Sequence, residues 1–167
     1  MVLNAQSITL YYDTTQDRLN LLFLDAKDNR LTGLLTRRLF KGWMELLPDW
    51  LGKNSSHAHS QFLREIEQLQ HQQALQMVPV MQNQVSLAEP STSFLIDTIN
   101  MNLINKTSVR MGFLAARKAQ EANLVLSIPE LHRLLAEMLA KAEDWDLPNP
   151  WMPEGAGLLG AGLHAVH

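Results

Sequence analysis

Apolar and polar residues alternate in three short runs near the start of the chain: Ile8, Leu10 and Tyr12; Leu19, Leu21 and Phe23; and Leu31 to Leu35. A period of two puts successive side chains on opposite faces of a strand, so these runs predict a three-stranded meander. The segments Asp13 to Asp17 and Asp28-Asn29 supply the turns, because short polar side chains bond their own backbone there. The period then changes. Phe40, Trp43, Met44 and Leu47 follow at i, i+3, i+4 and i+7, the stripe of a helix opened by the hydroxyl of Thr36. Pro48 and the stretch Leu51 to Asn54 are expected to end this helix. Gly42 inside it costs about 1 kcal/mol against Ala, which marks a place for another backbone to pass closely.

The same succession occurs again. The run from Phe94 to Leu103, then Val109, Met111 and Phe113, then Asn123 to Ser127 predict three more strands. The residues from Arg117 to Ala122 read as a polar turn. Leu131, Leu134, Leu135 and Met138 repeat the helical spacing after Ser127, with Pro129 and Glu130 in the first turn. Between the halves, Asn54 to Ser60 is a polar hinge. Phe62, Ile66 and Leu69, with Leu63 beside them, predict an amphipathic helix rich in Gln, and the residues that follow to Ser93 read as a loop.

The fold class expected is α+β. Two pseudo-repeated β-β-β-α units contribute six antiparallel strands, joined by a middle helix. A single domain spans 1–147, with halves 1–52 and 93–147 and a connector 53–92, and an irregular Pro/Gly-rich tail covers 148–167. The order of elements (strands, helical pair, strands, helix) is similar to that of the head domains of the end-joining scaffold and centriolar-cartwheel superfamily. That likeness lies in element order and in no residue motif.

Composition narrows the chemistry. The chain has 167 residues and a net charge of −3, so no global positive field draws it to nucleic acid or an anionic membrane. It has no Cys, which removes disulfides, thiolate metal sites and cysteine nucleophiles. The first residues show no basic region followed by an apolar run, and no apolar stretch is long enough to span a bilayer; the expectation is a cytoplasmic protein.

Few residues carry a candidate activity. Arg30, Arg37, Arg38 and Lys41 form a basic cluster, a possible anion-binding face for phosphate or nucleic acid. His57 with His59, and His164 with His167, have chelating spacing but lack further ligands, so neither a metal nor a cofactor is expected. His132 falls on the polar flank of the last helix and reads as a solvated residue. Gly155 to Gly160 imitates a dinucleotide loop, but it follows a proline-rich tail rather than a strand. No catalytic constellation is present. Trp43, Trp50, Trp151, Met152, Leu158 and Leu159 are candidate interaction residues, since Trp and Met are enriched at interfaces. The reading is a non-catalytic protein-interaction or self-association module, expected as a homodimer. The alternatives are nucleic-acid or phosphate binding through the basic helix face, or a ligand-binding protein or enzyme with a pocket between the halves.

Overall fold

The alternating runs form strands, but the described residues hold eight strands rather than six, arranged as two mixed sheets of four. The computed structural model of the chain describes residues 1–80 and 91–152. The first meander is β2 (Ser7–Asp13), β3 (Arg18–Leu24) and β4 (Arg30–Leu35). The second is β6 (Thr98–Leu103), β7 (Ser108–Ala115) and β8 (Gln120–Ser127). The two added strands, β1 (Val2–Ala5) and β5 (Thr92–Leu95), each precede one meander and join the sheet of the other. β1 lies parallel to β8 with Leu3 opposite Ala122, and β5 lies parallel to β4 with Phe94 opposite Gly33. The sheet orders are therefore β1-β8-β7-β6 and β2-β3-β4-β5.

The strand expected from Phe94 to Leu103 is broken at Ile96-Asp97, where the chain changes sheets. The Ile96 N–H donates to the Leu34 carbonyl, while the next N–H, of Asp97, donates to the Leu114 carbonyl. A single residue, Gln6, makes the corresponding passage from β1 to β2. Strands that switch sheets in this way form the corners of packed sheet pairs. Ile96 fills its corner, and a Cβ on Gly33 would stand 2.7 Å from its Cδ1, so the close approach there requires glycine.

Two of the helices follow the expected stripes. In α1 (Arg37–Lys53) the Thr36 hydroxyl accepts from the Leu39 N–H at 3.2 Å, and Phe40, Trp43, Met44 and Leu47 are buried. In α3 (Ile128–Lys141) the Ser127 hydroxyl accepts from the Glu130 N–H, and the Glu130 carboxylate accepts from the Ser127 N–H at 2.7 Å. This reciprocal pair is a capping box, and Leu131, Leu134, Leu135 and Met138 are buried behind it. Both stripes enter one core with both sheets. Phe23 of one sheet and Phe113 of the other meet with ring centroids 5.2 Å apart, and Trp43 stands edge-on to Phe113.

Two local expectations about α1 are corrected. The helix continues through Pro48 and ends at Lys53, within the stretch expected to close it. Proline removes one helical hydrogen bond, but Leu51 and Gly52 continue the buried stripe beyond it, and packing outweighs the loss. Gly42 meets nothing within 4 Å; the close approach is at Gly52, where a Cβ would lie 3.0 Å from Leu63 Cδ2 and 3.1 Å from Glu67 Oε1.

Candidate functional site

The middle helix α2 (Leu63–Met77) is turned against its own amphipathic pattern. An apolar stripe ordinarily faces the core. Here Phe62, just before the helix, is 58% exposed, Leu69 is 54% exposed and Met77 is 80% exposed. The buried positions are Glu67, His71 and Ala74, at i, i+4 and i+7. Two polar side chains are inside, while Leu63 and Ile66 of the apolar stripe are half-buried.

That inner face packs on α3 through a histidine pair. His71 and His132 are both buried, with their Nδ1 atoms 3.0 Å apart. His132, expected as a solvated residue, is thus an interior one, because α2 covers the flank that its spacing from the apolar stripe left outside. The segment after α3 closes over the pair. Asn149 to Met152 makes a turn with Pro150 second, and Trp151 stacks on His71 at 5.1 Å and stands edge-on to His132 at 4.9 Å. Residues expected to belong to the irregular tail are therefore docked up to Met152.

The hydrogen bonds select one set of tautomers. The Asn149 side-chain oxygen accepts from the Trp151 N–H at 3.0 Å, which turns its amide nitrogen to donate to His71 Nε2 at 3.3 Å. His71 then carries its proton on Nδ1 and donates to His132 Nδ1, leaving His132 protonated on Nε2. A pair held in this way is neutral. Burial lowers both imidazoles to a pKa of about 4, and the proximity of His71 adds to the effect on His132. Arg133 spans the same interface, pairing with Glu137 at 3.2 Å and donating to the Leu75 carbonyl of α2.

Glu67 has no such partner. It is 8% exposed, and among the described residues nothing donates to its buried Oε1. Burial raises its pKa above the usual carboxylate range, and the negative charge of Asp49 adds to this. Glu67 borders two depressions. One, of about 870 Å³, runs between the three helices and is walled by Trp50 and Leu51 of α1, Ala74 and Met77 of α2, and Ile128 and Pro129 of α3. His132 and Lys106 also line it. The other, of about 800 Å³, is bounded by Asp49, Lys53, Arg64 and Trp151.

The residues singled out in the sequence lie elsewhere or at the margins of this site. Trp43 is a core residue whose indole N–H points at the Met101 sulfur at 3.1 Å. Trp50 is half-buried at the groove, Trp151 is buried over the histidines, and Met152 is exposed. Leu158, Leu159, His164 and His167 lie outside the described residues. Arg37, Arg38 and Lys41 are exposed on the first turns of α1, Arg30 is half-buried at the start of β4, and His57 and His59 are exposed. The turn carboxylates have local duties. Asp13 and Asp25 accept backbone N–H groups, and Asp17 accepts from the Tyr12 hydroxyl and the Trp145 indole, which holds its carboxyl below the usual range.

Among the described residues no three His, Cys, Asp or Glu side chains gather as a metal site, and no helix is long and apolar enough to cross a membrane. Glu67, His71, His132 and Asn149 were not singled out as site residues. The available signal was the i, i+4 spacing of Glu67 and His71 opposite the apolar stripe, which a reading that follows hydrophobic residues passes over. Comparison with protein-family models, curated proteins and solved structures finds no match.

Proposed function

We propose that the protein is a non-catalytic interaction module that self-associates through the outer face of α2. The observation that carries this is the inverted helix: Phe62, Leu69 and Met77 stay exposed while Glu67 and His71 are buried. An apolar stripe left in water at helical spacing is unfavourable for a chain with no use for it. A second copy suits the rim of that stripe. Gln70, Gln72, Gln73 and Gln76 are exposed and uncharged, so the part of the face from Leu69 to Met77 meets its copy without like-charge repulsion, while Glu65 stands exposed one turn before Leu69. The reading of the chain as two pseudo-repeated units is supported by the reciprocal placement of β1 and β5. On that reading each half covers one edge of the other's meander, β8 by β1 and β4 by β5.

The test is light scattering across a concentration series with the wild type and Leu69→Glu. Leu69 is half in water, so the substitution leaves the fold intact. Wild type is expected to approach twice the chain mass as concentration rises, and Leu69→Glu to stay monomeric. A wild type that remains monomeric throughout ends the reading.

A further inference from the structure

We infer that residues 146–152 form an acid-released strap: protonation of the His71–His132 pair breaks the Asn149–His71 hydrogen bond and lifts Trp151 off the helices, while Trp145 stays anchored. The places open to an added proton carry this. Two neutral imidazoles have two basic ring nitrogens between them, and both are engaged. His132 Nδ1 accepts from His71 Nδ1 at 3.0 Å, and His71 Nε2 accepts from the Asn149 amide at 3.3 Å. A proton added to His71 Nε2 stands against the Asn149 N–H. A proton added to His132 Nδ1 stands against the His71 N–H, and that contact is relieved when His71 moves its own proton to Nε2, which again faces Asn149. Both routes end at the strap. Asn149 cannot turn its oxygen to the ring without giving up the Trp151 N–H, which that oxygen accepts at 3.0 Å.

The two ends of the segment are held by groups of opposite acid response. At the near end the Trp145 indole donates to Asp17 at 2.6 Å. The Tyr12 hydroxyl and that indole hold the Asp17 carboxyl below its usual range, so this anchor keeps its charge in mild acid. At the far end Trp151 rests on the two imidazoles, and a charged imidazole gains hydration when the indole lifts. The surrounding charges do not replace water. α2 contributes Arg64 and Glu67, the latter packed against Gly52 of α1 and favoured in its neutral form by burial and by Asp49. Arg133 of α3 is paired with Glu137, Lys106 lines the groove that His132 also lines, and Asp146 of the strap is exposed. Burial, with the neighbouring imidazole for His132, holds both rings at about 4. Pro150 and Trp151 wall the depression of about 800 Å³, so release of the strap removes that wall. Leu69 is on the outer face of α2, and the inference does not rest on self-association.

Backbone hydrogen exchange by NMR on the full chain, from neutral pH downward, reads both ends. The Trp151 N–H is bonded to Asn149, and the Trp145 N–H to the Ala142 carbonyl. The closed form has the lower pKa, so it is favoured above 6.5 and loses to the open form as pH falls to 4. Protection of Trp151, corrected for intrinsic rate, is expected to fall by about tenfold per pH unit over that range, with Trp145 protected throughout. Asn149→Asp separates this role from a structural one. Its carboxylate still accepts the Trp151 N–H and also accepts from a protonated His71 Nε2, so the fall in protection is expected to vanish or reverse. Glu67→Gln is expected to keep the fall. The proposal is overturned by joint loss of protection at Trp145 and Trp151, by Trp151 protection that stays constant down to pH 4, by a fall that survives Asn149→Asp, or by one that Glu67→Gln removes. The wild-type comparison decides even where a variant fails to fold.

Discussion

The helices α1 and α3 leave corresponding meanders with the same apolar spacing, yet their fates against α2 differ. On the α3 side the contact is closed: His71 bonds His132, Arg133 reaches the Leu75 carbonyl, and Trp151 caps the pair. On the α1 side it is open: Gly52 admits Glu67, no donor among the described residues meets its Oε1, and two depressions border it. The contrast teaches that one helix packs in two ways. Where its polar groups are satisfied it acts as a strut, and where one is left unsatisfied the packing beside it is incomplete.

The closed side can be broken most directly at Trp151. Trp151→Ala removes a fully buried indole and uncovers both imidazoles, and is expected to cost about 3–5 kcal/mol in denaturant unfolding. A loss below 1 kcal/mol would mean that the segment after α3 lies on the helices without supporting them.

Acid gives the next largest effect. The folded-state pKa of each imidazole is about 4, below the ordinary value of 6.5, so the unfolded chain binds protons first. Above pH 6.5 the pair contributes no pH dependence. Between 6.5 and 4 stability falls as pH falls, by about 1.4 kcal/mol per unit for each imidazole. Glu67 acts in the opposite sense, because its raised pKa lets the folded state take up a proton before the unfolded one does, and it offsets part of the loss. His71→Leu is expected to flatten the acid limb of a stability–pH profile, and an unchanged limb would remove the pair as its cause.

The smallest effect sharpens the comparison within α1. Gly42→Ala adds a methyl to open space in a helix and is expected to stabilise by about 0.5–1 kcal/mol. Gly52→Ala gains the same helix propensity but presses on Leu63 and Glu67. Thermal unfolding should place it at least about 1 kcal/mol below Gly42→Ala. Equal effects would mean that the α1–α2 contact yields freely.

Much of the architecture was legible in the order of residues. The two meanders, the stripes of α1 and α3 and their caps at Thr36 and Ser127 all follow from local periodicity and hydroxyl chemistry. The candidate site was not. Glu67 and His71 sit among glutamines on a face that pattern alone assigns to solvent, and Asn149 and Trp151 reach them from a segment remote in sequence. The strands β1 and β5 escaped for a related reason. Each is four residues long with one fully buried side chain, too short for alternation to declare itself.

By itself the sequence determined which stretches are strands and helices and which faces of α1 and α3 are apolar, because those properties depend on neighbours within a turn or two. Tertiary structure alone decided that β1 and β5 join opposite sheets, that α2 lies with Glu67 and His71 inward, and that His71 meets His132. These choices rest on partners dozens of residues away, where a parallel strand, a docked Trp or a second imidazole changes the free energy of burial that local pattern takes as given.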